Sequence, residues 1–258
     1  MQMEYGYILA GFVVGFLVGL TGVGGGSLMT PILLLFFHIK PAVAVGTDLL
    51  FASVTKSVGI FAHGKLGNIN WRMVRLLAYG SVPASIATIL FLRTIDVQSN
   101  NAINTIKFWL GVALIITSVA VLLRNKLLEL VKNDRWLPEK YVAPATVLLG
   151  IILGALVTLT SVGAGALGVT AIIMLYPREK ITTIVGSDIA HAVPLTLVAG
   201  LGHATLGTID YSLLGTLLIG SIPGIYLGSH LSAKIAEHWV RIALAVILIY
   251  VGFKLVLH

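Results

Sequence analysis

The chain has 258 residues, 57% of them apolar and only 10% charged, where a soluble domain carries about 25% charged residues. A mean hydropathy of +1.00 excludes a single water-soluble core, and zero cysteines exclude a disulfide framework, a thiolate metal site and a cysteine nucleophile. The formal charge of +7 comes from Lys and Arg scattered at the ends of apolar stretches, a mark of membrane topology rather than of nucleic-acid binding.

In chain order, apolar stretches cover 5–20, 27–38, 42–63, 71–92 and 105–123, then 143–160, 166–176, 181–202, 211–231 and 239–257. The first residues lack a basic n-region, so the start reads as a membrane segment rather than a signal peptide. All ten stretches read as helix, because lipid offers no water to unpaired backbone groups. Residues 5–38 would make about 51 Å of helix against a hydrocarbon core of about 30 Å. That is too long for one crossing and too short for two. The break at Thr21-Gly22-Val23-Gly24-Gly25-Gly26-Ser27 predicts two shortened helices meeting at a Gly-rich tip inside the membrane.

The one long polar stretch, 124–142, divides the chain nearly in half, and the halves repeat. Thr21-Gly22-Val23-Gly24-Gly25-Gly26-Ser27-Leu28 pairs with Thr160-Ser161-Val162-Gly163-Ala164-Gly165-Ala166-Leu167, and Val45-Gly46-Thr47-Asp48 with Val185-Gly186-Ser187-Asp188. His63 and His203 follow in register, as do Gly80-Ser81-Val82-Pro83 and Gly220-Ser221-Ile222-Pro223. Internal repeats are a signature of transporter folds. With five segments per half, the second copy should be inverted. Charge supports this: loops then cytoplasmic hold Lys65, Arg72, Arg75, the five basic residues of 124–142, Arg178, Lys180, Lys234 and Arg241, whereas loops then outside hold only Lys40, Arg93, Lys107 and Lys254. The expected fold is an all-α integral membrane protein of two inverted-topology repeats with Gly-interrupted short helices. Residues 1–123 form the first repeat, 124–142 a cytoplasmic connector and 143–258 the second repeat.

Small residues often serve only close helix packing. Two Gly-rich tips that interrupt short helices at matching places point instead to a substrate site near the midplane. Helices starting near Ser27 and Ala166 would aim free N–H groups and positive dipole ends at the gap, which suits an anion. Neither tip has the Gly-Lys-Ser/Thr ending of a nucleotide-phosphate loop, and no cofactor is expected. Thr21, Gly24, Gly25, Gly26, Ser27, Thr160, Gly163 and Gly165 are the candidate anion-holding residues, and Thr47, Ser187 and Lys56 would line the path. Asp48 and Asp188 either cap helix ends or handle a proton or Na⁺, since a carboxylate within a span is costly. His191, three residues after Asp188, is a core histidine or part of a proton relay. No set of side chains has metal-ligand spacing.

Gly15-Phe16-Leu17-Val18-Gly19-Leu20-Thr21-Gly22-Val23-Gly24-Gly25-Gly26, followed by Pro31 and Val45-Gly46-Thr47, resembles the TauE/SafE family of membrane exporters. The echo at 154–188 and the Gly-Ser-x-Pro repeats extend the resemblance over essentially the whole chain. It implies a multi-pass carrier of the bacterial or archaeal inner membrane that exports sulfite, sulfonates such as sulfoacetate, or related sulfur-containing anions. The second tip departs from the first, with Ala164 in place of Gly25 and Ala166 in place of Ser27. The leading expectation is a secondary anion exporter working by alternating access, its partners being a small anion, the bilayer and a coupling proton or Na⁺. A homo-oligomer fits the pattern and nucleic acid does not. One rival is a cation carrier or channel using Asp48 and Asp188. An intramembrane enzyme is disfavoured by the lack of Cys, of His-Glu-x-x-His and of a Gly-x-Ser-x-Gly elbow.

Overall fold

The structure is a computed structural model describing residues 2–21, 28–62, 69–97, 99–131, 137–163, 165–231 and 237–257. Among the described residues the regular secondary structure is all helix, with no strand: α1 (Gln2–Thr21), α2 (Met29–Leu35), α3 (Pro41–Ala62), α4 (Trp71–Arg93), α5 (Asn100–Val131), α6 (Glu139–Thr160), α7 (Ala166–Leu175), α8 (Ile181–Thr205), α9 (Tyr211–Leu231) and α10 (Glu237–Leu257). Local signals set many of the ends. Pro41 opens α3, where its missing N–H costs nothing. The side chain of Asn70 accepts from Met73 N at 3.2 Å to cap α4, and that of Asp210 accepts from Leu213 N at 2.9 Å to cap α9.

α5 runs on past the apolar stretch ending at 123, because Asn125-Lys126-Leu127-Leu128-Glu129-Leu130 are mostly good helix formers. A helix need not stop where its hydrophobicity does. α8 likewise passes through Pro194 as one helix. Among the described residues, five helices are long and apolar enough to cross a membrane: α4, the first 24 residues of α5, α6, α8 and α9. Their outward faces carry large exposed apolar side chains such as Tyr79, Phe91, Ile219 and Tyr226, as a lipid-facing surface does.

The most extensive helix pairs all join one half of the chain to the other: α1 with α9, α4 with α6, α5 with α10 and α3 with α8. Glycine permits two of them. A Cβ at Gly15 would strike the Ser221 carbonyl, and one at Gly224 the Phe12 carbonyl, so α1 and α9 touch backbone to backbone. Gly80 against Val147 and Gly154 against Ser81 do the same for α4 and α6. Direction follows from which residues meet. On α3 and α8, Gly46 meets His203, Leu50 meets Gly200, and Ser53 meets Val193, so this pair runs antiparallel. α5 and α10 also run antiparallel, with Gly111 beside Gly252 and the Ser118 hydroxyl donating to Ala245 O at 2.8 Å.

Candidate functional site

The antiparallel pair α3 and α8 holds the charged interior. Asp48 and Asp188, seven residues into their respective helices, are fully buried, as are Thr47, Ser187 and His191 beside them. Lys56, two turns beyond Asp48 on α3, is only 8% exposed. It acts electrostatically on Asp48, Asp188 and His191. Two carboxylates and one ammonium in a medium of low polarity leave one negative charge uncompensated when all are ionised.

The two carboxylates have different surroundings. Asp48 Oδ2 accepts from Thr30 N at 3.1 Å and from Thr30 Oγ1 at 2.5 Å. It therefore caps the first turn of α2 from a different helix, with its charge at the favourable end. The Ser161 hydroxyl lies beside the same carboxylate. Asp188 lies against Gly168, where a Cβ would collide with Oδ1, and both its oxygens lack hydrogen-bond partners among the described residues. His191 Nε2 lies 2.7 Å from the Ser81 hydroxyl, while Nδ1 has no hydrogen-bond partner among the described residues. Buried polar atoms in folded proteins are satisfied with few exceptions. Among the described residues, the unsatisfied atoms of Asp188 and His191 make this region the candidate site.

The second break is described except at 164. Thr160 Oγ1 donates to Leu156 O at 2.6 Å and accepts from Val162 N at 3.1 Å, closing the end of α6. Ser161 then takes a left-handed conformation at φ 58°, and Gly163 and Gly165 follow at φ 120° and 135°. Those last two values are open only to glycine. Gly168 N donates to Gly163 O at 2.9 Å and Val169 N to Gly165 O at 2.8 Å, so these two amides of the first turn of α7 are already engaged. The sequence expectation of free amides at the tips therefore changes in detail: Thr30 N is engaged by Asp48, and Gly168 N and Val169 N by the tip's own carbonyls. The first tip falls outside the described residues from 22 to 27, which includes Gly24, Gly25, Gly26 and Ser27. The Thr21 side chain also lies outside them, as does His63.

Of the remaining candidates, Asp48, Lys56, Asp188 and His191 are all buried within the α3–α8 pair. Thr47 and Ser187 instead give their hydroxyls to loops of the other half, as acceptors from Asp210 N at 3.1 Å and Asn70 N at 2.9 Å. Sequence reasoning missed Thr30, Ser81, Gly168, Asn70 and Asp210. For the last two a signal exists: Ile69-Asn70-Trp71 and Ile209-Asp210-Tyr211 stand in the same register as the other repeats. Thr30 carries a prediction of its own. Thr30→Val removes the hydroxyl donor to a buried carboxylate while keeping the shape. It should lower stability by about 1.5–3 kcal/mol, read as the thermal midpoint in detergent against Thr88→Val, whose hydroxyl serves only Ala84 O.

Residues 7–255 match the family model described as "Sulfite exporter TauE/SafE". The chain belongs to the TauE/SafE family. It is 40% identical over 256 residues to the probable membrane transporter protein YjnA of Bacillus subtilis, covering 98% of this chain and 100% of that one. It is also 31% identical over 269 residues to the probable membrane transporter protein MJ0441 of Methanocaldococcus jannaschii, covering 97% and 94% respectively. No solved structure matches. This TauE/SafE protein is a multi-pass membrane transporter and not an enzyme.

Proposed function

We propose that this TauE/SafE protein exports a sulfur-containing anion, such as sulfite or sulfoacetate, by alternating access at the site between α3 and α8. The carrying observation is the burial of Asp48, Lys56, Asp188 and His191 within one helix pair, with the Asp188 oxygens and His191 Nδ1 unsatisfied among the described residues. A carrier holds its solute at such a place while both faces are shut. The antiparallel course of α3 against α8 and of α5 against α10, each a pair of equivalent helices, supports an inverted relation between 1–123 and 143–258, joined through 124–142.

Lys56 supplies positive charge for the anion, and the second tip, with Thr160, Gly163 and Gly165, supplies backbone dipoles. Asp48 already neutralises the start of α2, so an anion approaching there meets a like charge. Uptake of a proton or Na⁺ by the carboxylates relieves that repulsion, which gives Asp48, Asp188 and His191 the coupling role. Export of an anion from a negative-inside cell is also downhill by about 2.3 kcal/mol per charge per 100 mV, so such a proton or Na⁺ would set stoichiometry rather than supply the only driving force.

The test is flux. Proteoliposomes loaded with sulfite, sulfoacetate or taurine should release the first two faster than protein-free liposomes, and faster with the lumen negative. Equal release from both kinds of liposome across all the anions would overturn the substrate reading. The two oxygens of Asp188, without hydrogen-bond partners among the described residues, favour one rival, a cation carrier. That rival requires Na⁺ or proton flux without any anion, lost in Asp188→Asn.

A further inference from the structure

Two hydrogen bonds outside the charged group occupy equivalent places in the two halves. Asn70, the residue before α4, donates its backbone N–H to Ser187 on α8 at 2.9 Å. Asp210, the residue before α9, donates its backbone N–H to Thr47 on α3 at 3.1 Å. Asn70 and Asp210 are 140 positions apart, and so are Thr47 and Ser187. Each donor also caps its own helix through its side chain. Each acceptor immediately precedes a buried aspartate. The bonds are exchanged, because each half supplies the donor that closes over the other half's carboxylate. Since α3 and α8 run antiparallel, Thr47 and Ser187 lie toward opposite ends of the pair, with Asp48, Lys56, Asp188 and His191 between them.

We propose that these two contacts are paired gate latches, Asn70–Ser187 closing one face of the transporter and Asp210–Thr47 closing the other, and that they open alternately. Asn70 and Asp210 are then positioning residues for transport. The proposal rests on the alternating-access reading. Each latch is a single bond between neutral groups, readily exchanged for bonds to water, so opening one needs no charge separation. Both are made in this structure, and Thr47, Ser187 and both aspartates are buried.

The two latches are braced differently. At the first, Asn70 Nδ2 donates to Glu179 Oε1 at 2.9 Å. A cavity of about 330 Å³ bounded by Asn70, Arg72, Glu139, Tyr176, Arg178 and Glu179 reaches this latch. The arginines place it on the face that the distribution of basic residues marks as cytoplasmic. At the second, His203 spans the site, with Nδ1 2.8 Å from Thr208 Oγ1 and Nε2 3.0 Å from Thr158 O. Gly46 admits the Thr208 carbonyl where a Cβ would collide with it. The first latch therefore borders a cavity, while at the second Asp210 is itself exposed and the Thr47 side is backed by a histidine clamp.

The natural chain has no cysteine, so thiols can be introduced singly. Ser187→Cys and Thr47→Cys, each alone in membrane vesicles of defined orientation, should react with a membrane-impermeant maleimide from opposite faces, the thiol at 187 from the cytoplasmic one. Oxidising Asn70→Cys/Ser187→Cys, or separately Thr47→Cys/Asp210→Cys, should reduce flux at least tenfold, with recovery on reduction. Labelling of both positions from the same face, or wild-type flux through either oxidised pair, overturns the latches. Should the cap replacements prevent folding, the two single variants carry the test by labelling alone. Labelling needs no substrate: opposite-face reactivity without flux of any anion would sink the substrate reading and leave the latches standing. Wild-type flux with same-face reactivity would do the reverse.

Discussion

Lys56→Met is expected to abolish anion transport and to lower the unfolding midpoint by several degrees. Lys56 is the cation felt by both buried carboxylates. Deleting one member of a buried charge set costs about 3–5 kcal/mol, because the charges left behind are neither hydrated nor compensated. A loss of about 3 kcal/mol from a bound anion corresponds to more than a hundredfold in rate or affinity. Stability and transport should then separate in the double variant. Lys56→Met/Asp188→Asn removes one charge of each sign and should regain most of the lost stability, with a coupling of at least about 1 kcal/mol, yet it should still not move the anion. Unfolding in detergent and flux from proteoliposomes read the two effects independently. Wild-type flux in Lys56→Met would remove Lys56 from the anion path, and a double variant no more stable than the single one would show that Lys56 and Asp188 are not coupled.

The second large effect lies in the helix pairs. Gly15→Leu and Gly154→Leu should each prevent recovery of folded protein. At both positions the partner's backbone carbonyl stands where a Cβ would go, and backbone cannot rotate away as a side chain can. Overpacking a well-packed contact costs about 1–3 kcal/mol even where side chains yield, and here two helices must separate. The matching control is Gly215→Ala on α9, whose Cβ would meet nothing within 4 Å. It should fold normally and gain up to about 1 kcal/mol from helix propensity. Size-exclusion profiles of the purified proteins decide the matter. A monodisperse Gly15→Leu protein with the wild-type melting midpoint would mean that the α1–α9 contact is looser than described.

Much of the candidate site is legible in the sequence because charge within an apolar helix is conspicuous. Asp48, Lys56, Asp188 and His191 were each visible against their surroundings, and duplication flagged the two aspartates. The partners were not visible, because they are ordinary residues. Thr30 is one threonine among many, yet it binds Asp48 across eighteen positions of chain. Gly168 differs from other glycines only in having a carboxylate against it. Ser81 sat inside a repeated block, but its histidine partner lies on α8 and Ser221 has no matching one. Thr47 and Ser187 were placed on the path by their position beside the aspartates. Their observed contacts with Asp210 and Asn70 depend on how α3 and α8 lie against the opposite half.

Residue order alone was enough for the membrane class, the helical stretches, the two-fold repetition and the family, since hydropathy, glycine breaks and spacing are properties read along one chain. The helix ends needed more, as α5 shows by continuing eight residues beyond its apolar stretch. Which helix crosses which, and therefore that Lys56 is buried in the same helix pair as both carboxylates while Asp48 takes the first turn of α2, was decided only by tertiary packing. Those meetings depend on backbone approach at Gly15, Gly80, Gly154 and Gly224 and on the direction in which the halves interlock. Neither quantity has a period or a motif in the linear sequence.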